Sequence, residues 1–450
     1  MYKNLQTIED VDVLVIGAGS AGCLAAMAAA TSKTSRVMLV DRYGFPGGTS
    51  TQMLDTFYGF FTPGETPKKI VGGLPDVVVD TMNDLGEIFL RPNTYGSGTG
   101  VNYNPERLKN VWDNLLLEAG VQLLLHTTLI DVNQKSNGGY ECIFWNKSGF
   151  WKVEPKRIID ASGDADFCHL AGYKYEIAGE LEPAQSMTTT FRMANVDLEA
   201  YERAGGKKAL AQIMAATTHP LPRKEGSAHA MNVEKCISTV AVKVAGLRAL
   251  NVKELTDAEV EGRRQAFVFE KFFRDEVPGY QRSKIIGLSN QIGVRETRRV
   301  YGEHRLTKEE CMSANIPSNS ILLCGAPIED HRAGKSGEME TVWQYIPQGG
   351  VYGVPYGTIV PKNSETVWVV GRCFSATHDA HASCRSMAQT MAMGHAAGLA
   401  AIQSLQRDEA ANQLNVDELR EKLHQQKAVL EVPDEKALTG KAEWALNIKK

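Results

Sequence analysis

The sequence predicts an α/β fold in which a parallel sheet and a β-meander form one domain and an α+β domain is inserted into it. Three observations support this prediction. An apolar run at residues 13–16 leads directly into a glycine-rich turn and an alanine-rich segment, which is the order of a buried parallel strand followed by a helix. Apolar runs at 157–160 and 367–372 also end in glycine-containing turns. Between these two runs, the sequence consists mainly of polar helical segments and Pro-containing loops.

The first turn has the spacing of a dinucleotide-binding motif. Gly17 permits a tight turn, Gly19 lets the backbone approach a pyrophosphate, and Gly22 allows the following helix to pack closely on the strand. The next apolar run, "RVMLVDR", places Asp41 where a carboxylate can accept hydrogen bonds from ribose hydroxyls. The alternative is a glycine-rich turn that binds nothing, and the complete strand–turn–helix–strand context disfavours it.

The remaining elements follow in order. The stretch "YGSGTG" at 95–100 is predicted to be a loop, and 106–119 a helix that stops at Gly120. Residues 121–132, "VQLLLHTTLIDV", are predicted to be one strand, after which "YECIFW" and "FWKVEPKRIID" form a meander that returns to a buried strand. In the middle region, "LTDAEVEGRRQAFVFEKFFRD" is a polar helix, and "SMTTTFRMANV" and "SNSILLCGA" are strand candidates.

Three domains are predicted from these elements. Residues 1–183 and 346–412 form a discontinuous Rossmann-like nucleotide-binding domain, 184–345 an inserted substrate or cap domain, and 413–450 a C-terminal helical tail. The long helical segment after residue 386 is rich in small residues that suit close packing on a sheet.

Composition excludes several function classes. The chain has 450 residues, 43% hydrophobic and 23% charged, with a net charge of −4, so neither nucleic acid nor an anionic membrane is expected as the main partner. Without a signal peptide or a long apolar run, we expect a cytoplasmic protein that acts on a small molecule, and the chain is compatible with a homo-oligomer. Eight cysteines form no CxxC motif, so no disulfide framework, iron–sulfur cluster or other metal site is expected.

One extended cofactor explains all three glycine-containing strand ends. The first turn and Asp41 would hold an AMP half, and the 160–164 turn would return beneath the same pyrophosphate. Gly371 and the following helix would reach a flavin at the far end, because a helix N-terminus favours the negative charge of a reduced flavin.

These residues resemble the FAD-dependent oxidoreductases of the glutathione-reductase-like superfamily, which have two dinucleotide-binding domains, and more distantly the fumarate reductase-type flavoproteins. The resemblance is carried by "VLVIGAGSAG", "FPGGTST", "IVGGLPD", "IIDASGDAD", "IGVRETRRVYGEHRLTKEE", "VPYGTIVPK" and "VGRCFSATHDAHASCRSMAQTMAMGHAAGLAA". It implies FAD as cofactor, a Rossmann-like domain built from separated segments, and a substrate domain whose sheet covers the flavin. A second nucleotide motif and the CxxxxC pair of the disulfide reductases are both missing, so an NAD(P)H-binding domain is not expected.

The predicted cofactor-binding residues come from five short segments. They are Gly17, Gly19, Ser20, Ala21, Gly22, Asp41, Arg42, Gly47, Gly48, Thr49, Ser50, Ala161, Gly163, Asp164, Gly371, Arg372 and Arg385.

The loop "SATHDAHASCR" supplies the first catalytic candidates. Flavin-dependent oxidation needs a base for the proton of the substrate's oxygen or nitrogen, and a histidine that titrates near neutral pH suits that task. His378 is the first candidate and His381 the second. The alternative is that one of these histidines caps the helix or hydrogen-bonds to the flavin edge.

The remaining catalytic candidates are Arg295 and Tyr356. Arg295 belongs to a cluster with Arg298, Arg299, His304 and Arg305 that could bind a substrate carboxylate bidentately. Ion pairs with neighbouring glutamates are the favoured alternative for this cluster. Tyr356 either lines the pocket or fills the domain junction.

The sequence therefore predicts an oxidase or dehydrogenase that transfers a hydride from a small metabolite to FAD and passes the electrons to O2 or a carrier. The alternative is a flavin-dependent monooxygenase or halogenase that uses externally reduced flavin.

Overall fold

A computed structural model describes residues 4–333 and 339–432. Its strands are β1 (Gln6–Ile8), β2 (Val13–Ile16), β3 (Val37–Val40), β4 (Thr56–Phe57), β5 (Ile88–Arg91), β6 (Gly100–Tyr103), β7 (Gln122–Leu124), β8 (Thr128–Gln134), β9 (Tyr140–Asn146), β10 (Gly149–Val153), β11 (Arg157–Asp160), β12 (Tyr175–Ile177), β13 (Phe191–Ala194), β14 (Ser227–Ala230), β15 (Ile237–Val240), β16 (Lys284–Leu288), β17 (Arg298–Val300), β18 (Ser320–Cys324), β19 (Ile328–Ala333), β20 (Met339–Gln344), β21 (Tyr352–Pro355) and β22 (Val367–Val369). Its helices are α1 (Ser20–Ala30), α2 (Thr49–Gln52), α3 (Leu74–Asp84), α4 (Pro105–Glu118), α5 (Asp166–Leu170), α6 (Leu198–Arg203), α7 (Gly206–Ala216), α8 (Val252–Glu276), α9 (Lys308–Ser313), α10 (His378–Cys384), α11 (Met387–Arg407) and α12 (Val416–Gln425).

The predicted parallel sheet is present. Five strands lie in the order β22-β11-β2-β3-β7, and every neighbouring pair is parallel. Both faces of the sheet are covered, which is why its strands read as continuous apolar runs. In β2, Val13 and Val15 pack into the core that contains α1 and α11, whereas Leu14 and Ile16 pack against the meander on the opposite face of the sheet.

Small residues bring α1 and α11 into backbone contact. A Cβ on Gly394 would lie 2.0 Å from the carbonyl oxygen of Ala21, and one on Gly398 would lie 2.3 Å from that of Ala25. Larger side chains at these two positions would therefore force the helices apart. This packing fixes the position of the α1 N-terminus relative to the sheet.

The predicted meander forms a separate sheet in the order β1-β10-β9-β8. Its three later strands pair antiparallel, and β1 joins it in parallel to β10. The prediction of one strand over residues 121–132 is wrong. The chain turns at His126, which has a left-handed φ of 53°, so β7 completes the parallel sheet and β8 begins the meander. The loop predicted over 95–100 ends one residue earlier, because β6 begins at Gly100.

The middle of the chain builds a second core. Strands β14-β15-β13-β16 form an antiparallel sheet, and Phe269, Phe272 and Phe273 of α8 pack on it. The buried residues of this core all lie between Met187 and Ile292.

Strand β18, "SILLC", belongs elsewhere in the fold. The sequence predicts it inside the inserted domain, but it pairs with β21 and packs into the core of α1 and α11. The domain boundaries at 184, 345 and 413 stay predictions, and residues 433–450 of the predicted tail lie outside the described residues. Among the described helices, none has the length and hydrophobicity that crossing a bilayer requires.

Candidate active site

A cavity of about 970 Å³ lies at the carboxyl ends of the parallel strands. Its wall includes the turns that follow β2, β3, β11 and β22, and on the opposite side residues of β14 and β15 from the second core. This is where ligands bind in open α/β sheets, and the volume is at the upper end of the range for small-molecule sites. The cavity is thus large enough for a long cofactor.

The glycine turn after β2 is shaped by contacts and by an open space. Gly17 has a φ of +99°, and a Cβ there would lie 2.4 Å from the carbonyl oxygen of Ala161. A Cβ on Gly22 would lie 1.8 Å from the carbonyl oxygen of Gly17. Gly19 differs, because its φ of −65° suits any residue and a Cβ there would meet nothing within 4 Å. The glycine at 19 leaves a space in the cavity wall that none of the described residues fills.

The end of α1 is suited to an anion at that space. No side chain caps the helix, and the first N–H groups of a helix have no partner within it. Helix N-termini with this arrangement bind phosphate groups. The open space at Gly19 and the uncapped helix end therefore fit the pyrophosphate of a dinucleotide.

A second glycine turn packs directly against the first. A Cβ on Gly48 would lie 2.8 Å from the Cα of Gly19, and the Gly47 N–H donates to the carbonyl oxygen of Ala18 at 2.7 Å. The hydroxyls of Ser20 and Ser50 both donate to the Gly47 carbonyl, at 3.1 and 2.8 Å. Gly22, Gly47 and Ser50 do not line the cavity and instead hold its two turns together.

Asp41 follows β3 and lies in the cavity wall. Its carboxylate accepts hydrogen bonds from the N–H groups of Ala18 and Tyr43, at 2.6 and 2.8 Å. These bonds fix the side chain and leave further lone pairs for a ribose. Burial raises the pKa of Asp41.

Arg372 joins the ends of two strands to the second core. Its guanidinium donates to the carbonyl oxygens of Gly163 and Val294, at 2.8 and 2.6 Å. It also donates to the Asp164 carboxylate at 2.6 Å. Arg372 lines the cavity, and each of its three guanidinium nitrogens donates one hydrogen bond to the protein, whereas Asp164 does not line the cavity.

Thirteen of the predicted cofactor-binding residues line the cavity. They are Gly17, Gly19, Ser20, Ala21, Asp41, Arg42, Gly48, Thr49, Ala161, Gly163, Gly371, Arg372 and Arg385. Their individual roles stay predictions, but the set fits an extended dinucleotide, with a ribose acceptor at one end and helix N-termini along its length. Among the described residues, no group of three or more His, Cys, Asp or Glu side chains could hold a metal ion.

One part of the cavity wall is rich in cationic side chains. Arg295, Arg385 and Arg223 line it together with two carboxylates, that of Glu329, whose side chain is 24% exposed, and that of Glu225, which lies 2.8 Å from Arg223. Burial and the neighbouring Arg385 lower the pKa of Arg295 to about 9. Although burial raises the pKa of Glu329, His331 and the two arginines outweigh it and lower that pKa to about 2.

Several donors of this cluster are not used by the protein. Arg295 donates to the carbonyl oxygen of Ser186 and to the Thr188 hydroxyl. Arg385 donates through Nη2 to the Gln185 side chain at 2.9 Å. The buried Nε atoms of Arg385 and Arg223 have no hydrogen-bond partner. Lys243 lies nearby, and burial with the charges of Arg223 and Arg295 lowers its pKa to about 7.

The structure does not place the two candidate histidines on the cavity wall. His378 Nδ1 lies 3.1 Å from Glu296 and Nε2 lies 3.3 Å from Asp330. Burial lowers the pKa of His378, but the hydrogen bonds and charges of Asp330 and Glu296 outweigh it and raise that pKa to about 10. His381 is fully buried and faces the carbonyl oxygen of Arg372 at 2.7 Å. These placements do not support a role as base.

The arginine cluster of the sequence divides in two. Arg295 lines the cavity, whereas Arg298 pairs with Asp166, Arg299 with Glu296 and Glu176, Arg305 with Glu176, and His304 with Glu310.

Tyr356 lies in the main core and away from the cavity. Its hydroxyl donates to the carbonyl oxygen of Ala411 and accepts from the Trp368 indole at 2.8 Å. The alternative of a space-filling aromatic fits this position better than a catalytic role.

The sequence analysis missed a histidine–carboxylate pair in the wall, formed by His229 and Asp55. The two residues are 174 positions apart and neither belongs to a motif. No local signal in the sequence marks them, because the fold alone brings them together.

Comparison with known proteins supports a flavoprotein fold. The family model described as FAD dependent oxidoreductase matches residues 12–423. A p-nitrophenol 4-monooxygenase from Pseudomonas putida has a similar structure, with a TM-score of 0.51 and 10% identity over 98% of this chain and 89% of that one. No curated protein sequence matches the chain.

Two further solved structures resemble the chain less closely. A geranylgeranyl bacteriochlorophyll reductase-like protein from Thermoplasma acidophilum has a TM-score of 0.48, with 15% identity over 95% of this chain and 85% of that one. A mutant of the halogenase PltM in complex with FAD has a TM-score of 0.47, with 12% identity over 93% and 73%.

Proposed function

The chain belongs to the family of FAD dependent oxidoreductases, and from this membership we propose that it is an oxidase or dehydrogenase acting on a small anionic metabolite. The substrate would lose a hydride from carbon and a proton from the attached oxygen or nitrogen, and the electrons would pass on to O2 or a carrier. The narrower relation to the glutathione-reductase-like superfamily and to fumarate reductase-type flavoproteins, like the cytoplasmic location and a homo-oligomeric state, stays a prediction.

FAD, when bound, accepts the hydride at its flavin ring. The residues suited to hold it are Asp41 for the AMP ribose, the α1 N-terminus with Gly19 for the pyrophosphate, and Gly371 with the start of α11 for the flavin end. Ser386, the N-cap residue of α11, lines the cavity and makes no side-chain cap. An uncapped helix end stabilises negative charge placed before it.

The observation that supports an anionic substrate is the cluster of Arg295, Arg385 and Arg223. The three guanidinium groups share this part of the cavity wall with only two carboxylates, those of Glu329 and Glu225. Buried like charges are costly unless an opposite charge joins them, and a guanidinium binds a carboxylate through two parallel hydrogen bonds. A substrate carboxylate would compensate the excess of positive charge.

The experiment is anaerobic reduction of the purified, FAD-loaded protein. Glycolate, lactate, malate, glutamate and proline are added separately, and bleaching of the flavin absorbance is followed. We expect one or more of these carboxylates to bleach the flavin, and Arg385→Gln to raise the concentration needed for half-maximal rate. A protein that none of them reduces would contradict the proposal.

The second candidate is a flavin monooxygenase or halogenase. It is favoured by the similarity in fold to the p-nitrophenol 4-monooxygenase, which at 10% identity concerns the fold only. Such enzymes act on their substrate with reduced flavin, so NADH and NADPH are added in the same experiment to test whether either reduces the bound flavin directly. The absence of a second nucleotide motif predicts slow reduction by both. Rapid, saturable bleaching by either would favour this second candidate.

A further inference from the structure

His229 and Asp55 form a buried hydrogen-bonded pair that joins the two sides of the cavity. His229 lies on β14 in the second core, and Asp55 follows α2 beside the nucleotide-binding turns. The Nε2 atom of His229 lies 3.1 and 3.2 Å from the two carboxylate oxygens of Asp55. Their side chains are only 8% and 3% exposed, yet both residues line the cavity.

The other ring nitrogen of His229 is available. Nδ1 is buried and has no hydrogen-bond partner among the described residues. With Nε2–H donated to Asp55, Nδ1 carries the lone pair of a neutral imidazole. A base oriented by a carboxylate on its far nitrogen is the arrangement that proton-abstracting histidines use.

The other histidines near the cavity lack this arrangement. His331 lines the wall, but Nε2 lies 2.9 Å from Glu329 and Nδ1 lies 3.1 Å from the Thr341 hydroxyl. Both ring nitrogens of His378 face carboxylates, and neither His378 nor His381 lines the cavity. Among the described residues, His229 is the cavity-lining histidine with an unpartnered nitrogen.

We infer that His229 is the catalytic base of the proposed oxidation and that Asp55 is its positioning residue. The inference rests on the proposed function. As the substrate C–H bond breaks and its hydride passes to the flavin, the O–H or N–H bond breaks and its proton passes to Nδ1 of His229. The substrate gains a C=O or C=N double bond, and the imidazolium that forms is stabilised by the negative charge of Asp55.

The groups around the pair favour an ionised Asp55. Burial raises the pKa of Asp55, but the positive charge that His229 carries once it is protonated and the hydrogen bond from His229 outweigh it, with further help from Ser238 and Arg192, and the pKa lies below its usual value. The phenols of Tyr58 and Tyr103 also face Asp55, and burial raises the pKa of both. They stay uncharged in the working pH range.

The first measurement is a ¹⁵N spectrum of the FAD-loaded protein labelled at its histidine ring nitrogens. The signals of His229 are identified by their loss in His229→Gln. At alkaline pH we expect Nε2 to carry the proton and Nδ1 to be unprotonated, and Asp55→Asn to weaken the Nε2–H hydrogen bond. A proton on Nδ1 at that pH would overturn the inference whatever the activity.

The second measurement is flavin bleaching by the carboxylate panel across a pH series. His229→Gln should retain FAD and lose about a hundredfold or more of the bleaching rate. His169→Gln, an exposed histidine outside the cavity, is the matched control and should keep both. Bleaching at the wild-type rate in His229→Gln overturns this inference alone, whereas a wild-type flavin that no compound bleaches overturns the proposed function and the inference with it.

Discussion

A histidine held between two buried carboxylates acts as a fixed cation. His378 lies between Glu296 and Asp330 and is 7% exposed. Burial raises the pKa of Glu296, but His378, His381 and Arg299 outweigh it and lower that pKa to about 2. A protonated His378 cannot accept a further proton, so this pair serves to hold α10 against the segment that contains Glu296.

Replacing His378 with Gln should destabilise the fold by about 3–5 kcal/mol, because it leaves a buried carboxylate without its partner. The folded pKa of about 10 exceeds the unfolded value of about 6.5. The contribution of protonated His378 to the free energy of unfolding is therefore complete below pH 6.5 and is lost as the pH rises towards 10. Urea unfolding of the wild type and of His378→Gln at pH 6 and pH 10 should show a smaller difference in the free energy of unfolding at pH 10. A stable variant whose bleaching rate falls a hundredfold would instead indicate that His378 is the base.

The open space at Gly19 makes a separate residue-scale prediction. Gly19→Leu should bind little FAD, because the side chain would occupy the pyrophosphate position, while its thermal unfolding without FAD should match that of the wild-type apoprotein. Gly287→Leu is the matched control, since a Cβ at Gly287 also meets nothing within 4 Å but lies outside the cavity wall. Stoichiometric FAD in Gly19→Leu would contradict the placement of the cofactor.

At the scale of elements, the site depends on how α1 and α11 pack. Both helices begin at the cavity, and Ser20, Ala21, Met387 and Thr390 from their first turns line it. Their backbones touch where Gly394 meets Ala21. The separation of the two helix N-termini is set by this contact.

Gly394→Val should therefore weaken FAD binding as well as stability. A Cβ at Gly394 would lie 2.0 Å from the Ala21 carbonyl oxygen, and relief requires the helices to separate, at a typical cost of about 1–3 kcal/mol. Urea unfolding gives the stability, and titration of the apoprotein with FAD gives the affinity. Ala392→Ser, a half-buried position on the same helix, is the control. Unchanged FAD affinity in Gly394→Val would show that the cavity does not depend on this contact.

The sequence was sufficient to predict those elements whose position depends on residues that are neighbours in the chain. The turn after β2, the helix that stops at Gly120, the strand at 157–160 and the start of the strand predicted over 367–372 follow from glycine spacing and apolar runs. It failed at His126, because a left-handed residue that is not glycine leaves no mark in the sequence. It also failed for β18, whose apolar run fits either core. The partners of His229 and His378 are distant in sequence, so no spacing rule could find them.

At the scale of the whole molecule, the cavity lies between two separate cores. The parallel sheet supplies the turns at Gly19, Ala161 and Gly371, and the sheet of the second core supplies His229 and Val240. Arg372 links the two sides through Asp164 and the carbonyl of Val294. A ligand that fills the cavity contacts both cores, so cofactor binding and the docking of the second core are expected to be coupled.

Removing FAD should therefore lower stability unevenly. A ligand that binds only the folded state at 100 times its Kd stabilises that state by about 2.7 kcal/mol, so the apoprotein should unfold at a lower temperature, and adding FAD should restore the transition. Hydrogen exchange of the apoprotein should increase more over residues 187–292, whose core is small and separate, than in the strands of the parallel sheet, which are buried on both faces. Equal increases in both regions would show that the second core does not depend on the cofactor, and would argue against the inserted domain as a separate unit that closes over the flavin.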